Sequence, residues 1–355
     1  MTVRFSVFMP MWNDTEWLPG AIESLLAQKH QDWELVIGDN ASTEDAASVI
    51  SKYADPRIRH HRWETHTDIY ENHNRTLLLC EYEWVQMLSA DDRLHPDCMQ
   101  RMAERIEAER AGASQLAMVI AASARVDAQG RPADLDYYGH QRIMQIRDGL
   151  YGPAEWFDVM CAPGQTPWNA GSVAMLRSLL AEIGSLYRPE IGLCADVELV
   201  LRLAAYGNVA YISEPLLYYT VRGSSDMGPR ALRNLSEGDP STPIGAAWAS
   251  ALRVHERSRP VSRLQRGHIH AAIARSHLQR ALQHRVMPGG HGRRGAAVDV
   301  WRAFKLSPGI MLSTWRLATA LLAIVAPARM VSWATRQLTN RRRDEASLKT
   351  ASLGL

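Results

Sequence analysis

With 355 residues, the chain has length for about two folding units. An apolar share of 46% and a charged share of 22% exclude a disordered or collagen-like chain. The four cysteines (Cys80, Cys98, Cys161 and Cys194) lie too far apart for a disulfide framework or a structural zinc site, and predict a reducing compartment. The net charge of +2 hides a division: residues 1–229 hold 19 Lys+Arg against 32 Asp+Glu, and residues 230–355 hold 21 against 6. An acidic region followed by a strongly basic one predicts two parts with different partners. The opening apolar run is too short for a signal peptide.

Phe5 to Pro10 is a short apolar run stopped by proline, which predicts a buried strand. Asn13, Asp14 and Thr15 supply capping chemistry for a helix whose apolar face is Leu18, Ile22, Leu25 and Leu26. Trp33 to Gly38 predicts a second buried strand ending at Asp39-Asn40-Ala41-Ser42-Thr43, small polar residues expected to form a turn and cap the helix through Ala46, Val49, Ile50 and Tyr53. A short strand at Ile58–His61, a helix from Ile69 to Cys80 and a strand at Trp84–Leu88 follow, the last running into Ser89-Ala90-Asp91-Asp92. Strands alternating with helices at this spacing predict βαβ units, and ligands of such sheets bind beyond the carboxyl ends of the strands. Those ends carry Met11-Trp12-Asn13, Asp39-Asn40 and Ser89 to Asp92.

Leu116–Ala122 predicts a further core strand, Val126–Gly130 a turn and residues 131–165 a long irregular loop of the kind that tends to be functional. Helices are expected at Leu176–Ile183 and Ala195–Tyr206, strands at Ala210–Ile212 and Leu216–Val221, and a linker at Gly223–Pro243. Beyond it, residues 244–286 place apolar positions at helical spacing and predict two amphipathic helices.

The turn after the first strand lacks the glycines of a dinucleotide fingerprint and the glycines and lysine of a phosphate-binding loop. A nucleotide bound by this sheet needs its diphosphate held otherwise, and a cation on carboxylates does so. Mg²⁺ and Mn²⁺ take oxygen ligands, commonly one or two carboxylates plus substrate phosphate. Asp91-Asp92 suits that task; alternatively the pair is a solvated turn capping a helix near His95-Pro96.

Four blocks in order resemble family 2 glycosyltransferases of the GT-A fold. They are Ser6 to Asn13, Ala21 to Gln28, Trp33 to Thr43, and Leu88 to Pro96, where the family usually reads P-x-Y-N, S-L-L-x-Q, V-D-D-G-S-T and D-x-D-D-x-x-x-P. The resemblance is strong over residues 4–110 and weak over 165–225. It implies a mostly parallel, Rossmann-like central sheet flanked by helices in a catalytic domain of residues 1–229, with a nucleotide-sugar half (1–110) and an acceptor half (111–229). Residues 230–355 would be a basic helical region.

By the same resemblance, Asp39 touches the donor's base or ribose and Pro10, Met11, Trp12 and Asn13 lie against the base. Asp92 is the metal ligand with Asp91 beside it, and the cation is Mn²⁺ or Mg²⁺. Asn40 stands where the family has a second Asp, and Ser89 where it has the first Asp of D-x-D-D. Cys194 to Ala204 resembles the E-D-x-x-L-x-x-R-L motif, with Asp196 in the general-base position and Ala195 where Glu is usual. Asp196 would lie in a helix's first turn, where the helix dipole favours a carboxylate. Glu198 is a weaker candidate on the acceptor side, Arg202 an expected structural ion-pair partner, and Arg222 a candidate for closing over the diphosphate. Trp168 and Asn169 could floor the acceptor site.

The expected activity is inverting, metal-dependent transfer from a nucleotide-diphosphate sugar, with uracil favoured, to a cell-envelope glycan or lipid-linked acceptor. Two other readings stay open: nucleotide-sugar binding without turnover, and nucleotidyl transfer, although the first turn lacks the Gly/Arg-rich phosphate loop that the latter needs. Between Arg316 and Arg329 only 12 uncharged residues occur, against the ~20 needed to span a bilayer. With Trp301, Trp315, Trp333 and Arg341–Arg343, that region predicts either a helix at an anionic membrane surface or a helical subdomain packed on the catalytic unit. The location expected is cytoplasmic and peripheral. Nucleic acid is not an expected partner, because no recognition module is present.

Overall fold

The computed structural model describes residues 2–110, 112, 115–131, 146–161, 169–183, 186–221, 243–258 and 292–307, with single positions between 266 and 281 and residue 324. In chain order the elements are β1 (Phe5–Met11), α1 (Leu18–Leu26), β2 (Trp33–Asp39), α2 (Ala46–Ile50), β3 (Ile58–Arg62), α3 (Ile69–Leu77), β4 (Trp84–Met87), β5 (Arg93–Leu94) and α4 (Cys98–Glu109). They continue with β6 (Leu116–Val126), β7 (Gly149–Tyr151), α5 (Pro153–Cys161), β8 (Val173–Leu176), α6 (Arg177–Glu182), α7 (Ala195–Leu203) and β9 (Asn208–Thr220). Two later helices are α8 (Pro243–Ser258) and α9 (Gly292–Leu306).

Among the described residues one sheet runs β3-β2-β1-β4-β8-β6-β9-β5, with β7 on β9. The strands β3, β2, β1 and β4 are mutually parallel, as continuous apolar runs separated by helices require. The long β6–β9 ladder is also parallel, while β8 reverses direction between β4 and β6. The expected α/β sheet of GT-A type is therefore present, parallel over most of its length.

Buried side chains of β1, β2, β4, β6 and β9 form one core with those of α1, α3, α4 and α7. Gly38 is required where α3 crosses β2: a Cβ there would stand 1.9 Å from Thr76 Oγ1.

Three sequence expectations change. The region 131–165 is not irregular throughout, since β7 and α5 occupy 149–161 and α5 buries Trp156, Phe157 and Met160. The two short strands near 210 and 216 are one strand, β9. Pro215 sits at a register shift in it, a position where a missing N–H is tolerated. α2 is capped by Asp45, whose Oδ1 accepts from Ser48 N at 3.0 Å, and not by the preceding turn.

The change of charge at residue 229 does not mark a break in packing. Leu252 of α8 belongs to the main core. Ser250 Oγ donates to Glu198 Oε1 at 2.7 Å, and His255 Nε2 lies 2.9 Å from the carbonyl oxygen of Leu201. A smaller cluster of Ala274, Leu278 and Ala281 with Ala296, Val300 and Ala303 of α9 lies apart. The predicted linker at 223–242 and nearly all of 308–355 fall outside the described residues. No described helix is long and apolar enough to cross a membrane.

Candidate active site

Because β1, β2 and β4 are parallel neighbours in register (Met11 opposite Asp39, Phe8 opposite Met87), their carboxyl ends open at one edge of the sheet. That edge gathers Trp12-Asn13, Asp39-Asn40 and the turn Ser89 to Asp92.

Asn13 leaves β1 in the left-handed region, φ 53°, a conformation Asn tolerates. Its Oδ1 accepts from Thr43 N at 2.8 Å and Glu44 N at 3.3 Å, while its own N–H donates to Ser42 Oγ at 3.0 Å. Asn13 thus fastens the turn after β1 to the turn after β2. Met11 points into the core, so of the four residues expected against a base only Trp12 offers an exposed ring. That ring lies 4.8 Å from His66.

Asp39 is 1% exposed. Its Oδ1 accepts from Ser42 N at 2.8 Å, whereas Oδ2 has no hydrogen-bond partner, with Arg62 Nε at 3.6 Å and His60 Nε2 at 3.7 Å. Burial holds the His60 imidazole below its usual pKa despite the neighbouring Asp39 charge. A buried carboxylate oxygen lacking a donor is uncommon in folded proteins.

Asn40, expected to bind the donor, has its side chain committed to the protein. Its Nδ2 donates to Thr67 O at 3.0 Å and its Oδ1 accepts from Thr67 N at 2.9 Å and Arg75 at 2.5 Å. The Arg75 guanidinium also lies 4.3 Å over the Trp63 ring. Asn40 therefore clamps the 63–68 loop and is corrected from a donor contact to a structural one. Ala41 follows at φ 56°, a left-handed conformation that glycine adopts freely.

In the turn after β4, Asp92 N donates to Ser89 O at 3.2 Å. The Asp92 carboxylate is buried, and Oδ1 accepts from Thr220 N at 2.9 Å, while Asp91 is half-buried. The pair does not cap the following helix, for α4 begins at Cys98 behind Asp97. Among the described residues no group of three or more His, Cys, Asp or Glu is arranged for a metal ion. Two carboxylates are nonetheless a donor set that Mg²⁺ or Mn²⁺ accepts when substrate phosphate completes the shell.

α3 connects this edge to Asp196. Asn72 Nδ2 donates to Gly38 O at 3.0 Å, and Asn74 exchanges two 2.8 Å bonds with the backbone of Tyr187. Tyr70 of α3 stacks on Tyr187 at 5.7 Å, and His73 meets Tyr187 edge-on at 5.1 Å. Asp196 lies in the first turn of α7 as expected, with Oδ1 accepting from Val197 N at 2.8 Å. Burial raises its carboxyl above the ordinary value of 3.8, opposed by backbone bonds and by a bond from the Tyr70 hydroxyl. Burial, with the Asp196 charge second, pushes the Cys194 thiol up to about 12.

Of the two acceptor-side residues that can be placed, Glu198 is corrected. Glu198 is fully buried, paired with Arg202 at 3.0 Å and Arg188 at 3.1 Å and accepting from Ser250. It anchors α7 and faces no acceptor; Arg202 is the ion-pair partner expected. Asn169 uses Oδ1 to accept from Gly171 N in a capping box at the 3₁₀ turn Ala170–Ser172. Trp168 and Arg222 lie outside the described residues. Residues that the sequence did not single out are Tyr70, Tyr187, His66, Arg75 and Thr220. Nothing local marks them, because each matters through a partner distant in the chain.

The sheet order is that of a GT-A fold. Residues 6–150 match the model of glycosyl transferase family 2. A protein of Mycobacterium tuberculosis, MT1568, is 27% identical over 217 residues, covering 59% of this chain and 65% of that one. The chain thus spans less than two thirds of that curated relative. Among solved structures, Staphylococcus aureus TarS 1–349 in complex with UDP aligns at TM-score 0.52 and 15% identity, covering 94% of this chain and 92% of that one. The mannosyltransferase PcManGT of Pyrobaculum calidifontis, in complex with GDP-Man and Mn²⁺, aligns at TM-score 0.55 and 17% identity, covering 98% and 87%. At these identities the structural likenesses speak for the fold.

Proposed function

We propose that the protein is an inverting glycosyltransferase that moves a sugar from a nucleotide-diphosphate donor to a hydroxyl of a cell-envelope glycan or lipid-linked acceptor. The observation that carries this reading is the buried, donorless Oδ2 of Asp39 at the same sheet edge as Asp91-Asp92. Asp39 accepts from a base N–H or ribose hydroxyl, and Trp12 and His66 give the base an aromatic wall. A uridine donor fits a single acceptor oxygen; the UDP complex of TarS and the GDP-Man complex of PcManGT make both bases part of the test.

Asp91 and Asp92 are the residues that would hold Mn²⁺ or Mg²⁺, which when bound supplies charge to neutralise a diphosphate leaving group. Asp92 also accepts from Thr220 N and so fixes the turn that carries both carboxylates. Asp196 takes the proton of the acceptor hydroxyl as its oxygen bonds to the anomeric carbon and the bond to the diphosphate breaks on the opposite face. The raised carboxyl makes it a stronger base once ionised.

Thermal-shift and transfer assays with UDP- and GDP-sugars, with and without Mn²⁺, test the proposal: stabilisation by one nucleotide class and sugar release are expected. No shift with any nucleotide diphosphate would remove it. Ala195 and Ser89, standing where the family has acidic residues, favour a binding-only second reading. Donor binding without turnover, unchanged in Asp196→Asn, would establish that reading instead.

A further inference from the structure

The basic C-terminal region was expected to offer a membrane-facing helix at 309–331, which lies outside the described residues except at Ile324. A different helix has the required faces. In α9 the side of Ala296, Asp299, Val300 and Ala303 is buried against Ala274, Leu278 and Ala281. On the opposite side Arg294, Val298, Trp301 and Lys305 recur at four-, three- and four-residue steps, which puts them in one stripe. Val298, Trp301 and Phe304 are 48%, 55% and 42% exposed. Phe304 stacks on Trp301 at 5.8 Å, and the Lys305 ammonium lies 5.3 Å from the same ring.

Charge decides what such a face fits. The single acid of α9, Asp299, is turned inward, 3.0 Å from His277 Nδ1. The outward side therefore carries only apolar groups and the cations Arg294 and Lys305, both exposed. Adjoining sequence extends the bias, since residues 230–355 hold 21 Lys+Arg against 6 Asp+Glu. Aromatic rings among basic residues on one helical side match the boundary between acyl chains and anionic headgroups.

We propose that the exposed face of α9 docks on an anionic lipid bilayer, with Trp301 and Phe304 entering the headgroup boundary and Arg294 and Lys305 meeting the phosphates. This inference stands independently of the sugar-transfer reading.

The test is co-sedimentation of the full-length chain with phosphatidylglycerol/phosphatidylcholine vesicles. Binding is expected at low salt, weakened at high salt and much weaker on pure phosphatidylcholine. Trp301→Glu with Phe304→Glu should lower the partition coefficient by about tenfold or more, while Leu78→Glu, at an exposed site on the catalytic unit, should leave it unchanged. An unaltered circular-dichroism melt shows that the variants fold. Wild-type protein that ignores anionic vesicles, or a double variant that binds them equally, overturns the proposal. So does a lipid-free dimer that the double variant dissociates, which would assign the face to a second copy of the chain, or binding only to nucleic acid.

Discussion

Asp92 Oδ1 accepts a hydrogen bond from the backbone N–H of Thr220, 2.9 Å away and 128 residues further along the chain. This bond joins the turn after β4 to the end of β9, next to the short ladder in which Arg93 and Leu94 pair with Tyr218 and Leu217. The two aspartates of the turn therefore have separable tasks. Asp92→Ala should strand a buried N–H and cost about 1–3 kcal/mol, read as a lower melting temperature. Asp91→Asn should lose Mn²⁺-dependent donor binding and transfer. An unchanged melting temperature in Asp92→Ala, or full Mn²⁺-dependent transfer in Asp91→Asn, would sink these assignments.

Asp196→Asn should lower kcat by about 10²–10⁴-fold with little change in the donor's KM. Because burial raises the carboxyl, wild-type activity should increase with pH through a limb above 3.8. The Tyr70 hydroxyl favours the ionised form, so Tyr70→Phe should move that limb to higher pH. A pH profile of kcat for both proteins decides this; an unmoved limb would detach Tyr70 from the base.

Ala41 is held at φ 56°, where its Cβ crowds the backbone. Ala41→Gly should stabilise the protein by about 1 kcal/mol despite the greater freedom of glycine in the unfolded chain. Urea denaturation measures it, and a destabilised variant would show that the methyl packs usefully.

Burial lowers the pKa of His73 from 6.5 to about 4, although its Nδ1 lies 2.6 Å from the Ile69 carbonyl. The folded state resists protonation more than the unfolded chain does. Stability should be fully present above pH 6.5 and fall as the pH drops towards 4, by about 1.4 kcal/mol per pH unit at most. Chemical denaturation at pH 7.5 and 5 should show the loss, reduced in His73→Asn. An identical pH dependence in that variant would place the titration elsewhere.

What the sequence disclosed follows the range of the interactions concerned. β1, β2 and β4 were legible because uninterrupted apolar runs between helices bury both strand faces, and Asp39 and Asp91-Asp92 because they end those runs. Asp196 was legible from its motif and its place in a first helical turn. Glu198 misled: a carboxylate two residues from the candidate base looks functional until Arg202, Arg188 and Ser250 converge on it. Asn40 misled likewise, since its partners Thr67 and Arg75 lie 27 and 35 residues away. β7 and α5 were hidden because Gly149, Gly152 and Pro153 obscure the apolar spacing of Trp156, Phe157 and Met160. The change of charge at 229 is not an edge of the core, which continues into α8 through Leu252.

The cluster around Arg75 has one last implication. Its guanidinium rests on Trp63 while holding Asn40, and His66 reaches the Asn40 carbonyl and lies beside Trp12. A long cation, two tryptophans and an imidazole are thus immobilised during folding. An incoming nucleotide would find this rim already rigid, so most of the entropy cost of shaping it falls on folding and little on the encounter.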